Sequence, residues 1–179
     1  MDSNLLSDAP AHFKGEGNRM KVIELLAYSQ FLRHSYLDTF GKLPWEEFVK
    51  DRQASFGSLR NIFLHCIFVF DLWINHLIRG DDHVPRINFE DFDSMDKVRE
   101  YMERVESDVS HYLSTVTPEE LSRVFDRKQK SGSVIQMTVE DMLIDFFQEE
   151  THHRGEFIAI LWQMGIKPPH MGWGKYMNR

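Results

Sequence analysis

Gln148-Glu149-Glu150-Thr151-His152-His153-Arg154-Gly155-Glu156 lies inside an apolar-periodic segment that runs from about Thr138 to Met164. Steps of three or four residues join Met142, Phe146, Glu149, His153, Phe157, Ile160 and Met164, which places them on one face of an α-helix. Glu149 and His153 can ionise, and they stand one turn apart within an otherwise apolar stripe. A carboxylate and an imidazole on an inward face are costly unless each has a charged partner, a hydrogen bond or a metal. The reading of this pair organises the rest of the chain.

Signals around the stretch extend the helix to both sides. Thr138 is a cap residue, with Glu140 and Asp141 placed to favour the helix dipole. Gly165 and Pro168-Pro169 end it. Upstream, Val124 to Met137 changes character around Lys130-Ser131-Gly132 and reads as a small β-hairpin. Thr117-Pro118-Glu119-Glu120 reads as a capping box opening a short helix. A helix from about Ser94 to Thr115 carries Met95, Val98, Met102, Val105, Val109, Tyr112 and Leu113 at helical spacing, with a charged outer face. Residues 81–93 form a long crossing loop.

The preceding helix, from Ser55 or Ser58 to Gly80, is apolar almost all round and therefore belongs at the centre of a core. Its most apolar part, Ile62 to Ile78, contains His65, Asp71, Asn75 and His76. It is too polar and slightly short for a membrane span. The first helix runs from about Asn18 to Phe40, stopped by Gly41 and Pro44, and Trp45 to Asp51 adds a short turn. Residues 1–17 are a loose arm, and Trp173 and Tyr176 of the tail fold back on the bundle. The expected class is all-α: a four-helix bundle in a single domain spanning residues 1–179.

Composition agrees with this. The 179 residues are 42% hydrophobic and 27% charged, ordinary values for a globular domain with its own core. A net charge of −7 offers no basic face for nucleic acid or anionic membrane, so neither partner is expected. A lone cysteine, Cys66, excludes an intrachain disulfide, and Met1 to Glu16 lacks the basic start and apolar run of a signal peptide. A cytoplasmic protein is expected.

A metal held by Glu149 and His153 needs a third ligand. His65 and His76 lie eleven residues apart, roughly 16 Å along a helix, so both cannot reach one ion. His76 is explained by the helix C-terminus, which leaves His65. The plainer reading is a core histidine with one hydrogen bond and an i,i+4 helix pair. Cys66 points away from His65 and reads as core. Glu150 and Arg154 read as a surface ion pair or as support for the site, and His152 belongs to the polar flank. Glu-x-x-His occurs at Glu149-His152 and Glu150-His153, but no second helix repeats it. The nearest match, Asp108-x-x-His111, is on a charged helix, which argues against a di-iron bundle.

Three blocks resemble the DinB/YfiT family of four-helix bundles. They are Ser55 to His65 followed by Asp71-Leu72-Trp73, the Thr151-His152-His153-Arg154-Gly155-Glu156 stretch against a His-His-Arg-Gly-Gln signature, and Gly165-Ile166-Lys167-Pro168-Pro169. The resemblance implies one divalent ion, zinc, nickel or ferrous iron, held by His65, residue 149 and His153, with Arg154 and Glu156 as supporting groups. It departs at position 149, where the family has histidine and this chain has Glu149. A glutamate is a competent ligand, so retention of the site is expected.

The resemblance also implies a thiol transferase using a low-molecular-weight thiol such as bacillithiol or mycothiol, or a metal-dependent hydrolase. In either case the substrate is a small molecule. A homodimer is implied as well, which Trp45 and Trp173, read as exposed, would permit. The alternative class is a non-catalytic bundle whose metal site has degenerated.

Overall fold

The structure, a computed structural model, describes residues 16–80, 84–128 and 131–178, with side chains from Lys21 onward and Lys128 excepted. The expected arm therefore lies outside the described residues except for its last two, Glu16 and Gly17, which are already helical. The elements are α1 (Glu16–Phe40), α2 (Trp45–Val49), α3 (Leu59–Phe70), α4 (Met95–Thr115), α5 (Pro118–Ser122), β1 (Val124–Lys128), β2 (Val134–Thr138), α6 (Val139–Gln163) and α7 (Trp173–Met177). The four long helices close a ring of contacts: α1 packs on α4 and α6, and α3 packs on the same two. Of the expected loop over residues 81–93, the described part carries a single 3-10 turn at Phe89–Asp91.

Local chemistry accounts for the ends of the helices. Ser58 caps α3 by accepting from the Asn61 amide at 3.2 Å, and Ser94 caps α4. Thr138 and Asp141 form a full reciprocal box on α6. At Thr117 the box is half made, because the Glu120 carboxylate is drawn to Arg123 at 2.8 Å and to the Tyr112 hydroxyl at 3.1 Å. Gly165, at φ 72°, closes α6: Ile166 donates to Leu161 O at 2.8 Å and Gly165 to Trp162 O at 3.0 Å, the Schellman pattern that needs a left-handed residue there.

The hairpin pairs β1 and β2 antiparallel, with Arg127 opposite Ile135. At its other end the tail packs back, as expected. Tyr28 donates to Met171 O at 2.7 Å and meets the Trp173 ring edge-on at 5.2 Å.

Two features depart from the expected pattern. The helix that begins as α3 continues without a break from Asp71 to Ile78 as a π-helix, sealed by an Arg79 N–H to Ile74 O bond of 3.0 Å. The continuous stretch Leu59–Ile78 is thus 20 residues, long and apolar enough by length and composition to cross a membrane, rather than slightly too short. It nevertheless packs against α2, α4 and α6. Trp45 and Trp173 are half-buried rather than exposed, Trp45 lying edge-on to Phe48 at 5.8 Å. Trp162 is the exposed tryptophan.

An aromatic cluster forms the core below the centre of α6. Phe40 of α1 meets Phe48 of α2, Phe63 of α3 and Phe157 of α6 at centroid distances of 5.3, 5.7 and 5.2 Å. Phe157 is one turn beyond His153, so the imidazole is carried on a rigid, fully packed segment.

Candidate metal centre

His65 from α3 and Glu149 and His153 from α6 meet where the two helices pack. The Glu149 Oε1 atom lies 3.3 Å from His65 Nε2 and 3.3 Å from His153 Nε2, and all three donor atoms lie within 4.8 Å of one another. The two imidazole rings stand nearly perpendicular, with centroids 5.0 Å apart. His153 is buried and His65 half-buried, but the Glu149 side chain is 47% exposed. That corrects the expectation of a buried Glu149. Position 149 sits at the rim of the inward stripe and opens onto a cavity.

The distances distinguish a hydrogen-bonded pair from a set of converging donors. Elsewhere in this protein a histidine bonded to a carboxylate is close: His153 Nδ1 to Glu156 Oε2 is 2.6 Å, and His34 Nε2 to Glu106 Oε2 is 2.7 Å. Those are charge-assisted lengths. The 3.3 Å contacts are long for such bonds, and both fall on the same oxygen. Donor atoms about 2.0–2.2 Å from a tetrahedral ion lie roughly 3.3–3.6 Å apart, which is the spacing found for the two pairs that share the Glu149 oxygen. The residues present fit a divalent cation.

The surroundings prepare these donors. Glu156 accepts the Nδ1 proton of His153 and is itself held by the Ser55 amide at 3.1 Å and the Ser55 hydroxyl at 2.9 Å. With the proton on Nδ1, the Nε2 lone pair is free to bind. Phe56 stacks on His65 at 3.9 Å and meets His153 edge-on at 5.6 Å, covering one side of the group. Burial lowers the pKa of His65, outweighing the contact with Glu149, which favours the neutral, ligating imidazole. Partial burial works to raise the Glu149 carboxyl. Its contacts with His65 and His153 outweigh burial and hold the group below the usual carboxylate range.

His152, His153 and Glu156 form a second set within the same distance limit. The 2.6 Å between His153 Nδ1 and Glu156 is too short for two ligands of one tetrahedral ion, so that side is a hydrogen bond. His152 is exposed, as its place on the polar flank suggested.

Arg154 does not support the trio. It points to the opposite side of α6, donating to Ser29 Oγ at 3.0 Å and Thr151 Oγ1 at 2.5 Å. Its expected surface partner, Glu150, is 3% exposed and accepts from Arg33 of α1 at 3.0 Å. Arg33 also donates to Glu106 of α4 at 2.9 Å, so the pair read as a surface bridge is part of a buried network tying three helices. The reason is angular: consecutive residues differ by about 100°, so 149 and 153 face α3 while 150 and 154 face α1.

Ser55 and Phe56 are site residues whose roles the sequence reading missed. Their signal is the loop they occupy, where Gly57 has φ 82° just before the Ser58 cap.

A helical bundle with a His-Glu-His donor group between its third and sixth helices is thus the class that fold and site define. The DinB family model matches residues 15–179, and the chain belongs to that family. The crystal structure of a DinB-like protein from Bacillus cereus is similar, with a TM-score of 0.59 and 16% identity over 84% of this chain and 95% of that one. At that identity the likeness concerns the fold. Comparison with curated proteins finds no match.

Proposed function

We propose that His65, Glu149 and His153 hold one divalent cation and that the protein is a metal-dependent enzyme acting on a small molecule bound beside it. The observation that carries this is the pair of 3.3 Å contacts on a single Glu149 oxygen, against 2.6 Å for the true hydrogen bond on the other nitrogen of His153. Zinc, nickel and ferrous iron all suit two imidazoles and a carboxylate. A bound ion of this kind supplies a lowered pKa for a coordinated thiol or water, making it a nucleophile near neutral pH. Glu156 keeps the His153 proton on Nδ1, Ser55 holds Glu156, and Phe56 excludes water from one side. The fourth side faces a cavity of about 750 Å³ that can admit substrate.

Both thiol transfer and hydrolysis belong to this reading. It also takes the protein to be a cytoplasmic homodimer with no nucleic-acid or membrane partner, and sedimentation velocity checks the dimer.

Stripped protein titrated calorimetrically with zinc, nickel and ferrous ions tests the site. One ion per chain is expected, with binding lost in His153→Ala and weakened at least about a hundredfold in Glu149→Ala. Loaded protein is then offered a thiol and a model electrophile, or an ester. If wild type takes up no ion and its melting temperature ignores chelator, the non-catalytic bundle replaces this reading.

A further inference from the structure

The cavity beside the trio has a second polar end that the proposed chemistry does not use. His65 and Glu149 mark one end; Arg127 and Asp145 mark the other. Phe68, Trp73 and Phe146 build an apolar wall, and Gln148 and His152 add polar lining. Asp145 precedes Glu149 by one helical turn, about 6 Å along the axis, and Trp73 lies two turns beyond His65. Trp73 belongs to the π-helical segment, and Arg127 reaches in from β1 of the hairpin.

Arg127 is held for recognition rather than used up by its neighbours. Its guanidinium carbon sits 4.3 Å from the centroid of the Trp73 ring. Nη1 donates to Asp145 Oδ2 at 2.8 Å and makes a long contact of 3.6 Å with Met137 Sδ. A guanidinium carries five N–H groups in a planar fork. Among the described residues, Nε and Nη2 have no partner. Asp145 is 46% exposed, so its pairing with Arg127 is a weak, solvent-screened one. An indole shelf, one anchored nitrogen and two free donors are what a carboxylate needs for bidentate capture.

We infer that this cavity takes a small amphipathic acid. Its aromatic or aliphatic body lies along Trp73, Phe68 and Phe146, and its carboxylate engages Nε and Nη2 of Arg127. The reactive end of that molecule then faces His65 and Glu149. The orientation rests on the metal reading, whereas the capture of the acid stands on Arg127 alone. Because Asp145 shares the guanidinium, it competes with the ligand carboxylate and sets how tightly the acid is held.

The test uses metal-free full-length protein and a matched pair of probes, phenylbutyrate and phenylbutyramide, with binding read by calorimetry. The acid is expected to bind about tenfold or more tighter than the amide, the range for a charge-assisted contact. In Arg127→Gln the two probes bind alike. In Asp145→Asn the acid binds severalfold tighter than to wild type, a gain that a merely bracing role for Arg127 would not produce. Circular dichroism melts establish that each variant is folded, and Asp145→Asn decides if Arg127→Gln is not.

Equal affinity of acid and amide for wild type, absence of binding by either, or an acid preference that survives in Arg127→Gln overturns the inference. Metal affinity measured on the same proteins separates the two proposals. Arg127→Gln leaves it unchanged; in wild type, metal binding without acid preference condemns only the acid, and acid preference without metal binding condemns only the metal.

Discussion

Glu149 and Glu150 are neighbours on α6 with identical side chains, yet they belong to opposite regions of the molecule. Glu149 faces α3, lies half in solvent and converges with two histidines at the mouth of a cavity. Glu150 faces α1, is sealed from water and holds the Arg33 guanidinium at 3.0 Å while Arg33 also binds Glu106. One region is a set of donors with room for a ligand. The other is a closed ionic network in which burial puts charges at risk should any partner be removed. Burying Arg33 works to lower its pKa, but Glu150 and Glu106 outweigh this and hold it above the ordinary arginine value. The same residue type thus serves ligation on one face and cohesion on the other.

The sharpest way to break this comparison is to truncate each glutamate in turn. Glu150→Ala leaves Arg33 and Arg154 buried without their shared carboxylate, and a loss of about 3–5 kcal/mol is expected by urea denaturation. Glu149→Ala removes a half-exposed group and should change stability by no more than about 1 kcal/mol, while metal affinity collapses. Similar stability losses in both variants would mean that the two regions are not functionally distinct.

A second, smaller effect sharpens the site itself. Glu156→Gln keeps the shape of the side chain and can still accept the Nδ1 proton of His153, but it loses the charge that makes that bond 2.6 Å long. Metal affinity is expected to fall about 10- to 100-fold, with the melting temperature of the metal-free protein nearly unchanged. An affinity equal to wild type would show that Glu156 only anchors the Ser55 loop.

Much of this was legible before any coordinates. The Thr138 cap, the Gly165 stop, the hairpin turn at Ser131-Gly132 and the helical step from Glu149 to His153 are local patterns, and local physics decides them. The choice of His65 over His76 followed from helix length together with the place of His76 at the helix C-terminus. What was not legible depends on neighbours far away in the chain. Glu149 and Glu150 both border the apolar stripe, and which of them is buried is settled by Arg33 of α1 and Glu106 of α4, more than forty residues from Glu150 in the chain. Arg154 was drawn to the site by its place in the motif, although its angle on the helix aims it at Ser29. The π-helical turn over Asp71–Ile78 leaves no mark on an apolar run. Ser55 and Phe56 lie in a loop, where the sequence has no period to reveal which side chain turns inward.

Cys66 gives the mildest probe of the same contrast, because it follows His65 in sequence yet sits on the dry side, buried beside Arg33, Glu150 and Arg154. Burial, followed by the Glu150 charge, pushes its thiol well above the ordinary cysteine range. A group with a raised folded-state pKa contributes stability in full below its unfolded pKa and loses it as pH rises toward the folded one. Unfolded Cys66 ionises near pH 9 while the folded thiol stays neutral, so each unit above that value favours the unfolded chain. Between about pH 8 and pH 10 wild type is expected to lose about 1.4 kcal/mol more than Cys66→Ala, measured by paired denaturation curves. Tyr36, pushed up to about 12 chiefly by its burial, titrates in both proteins and cancels in the difference. A difference near zero would mean that water reaches Cys66, and with it the Arg33–Glu150 network. The face of α6 that carries Glu150 would then be as wet as the face that carries Glu149.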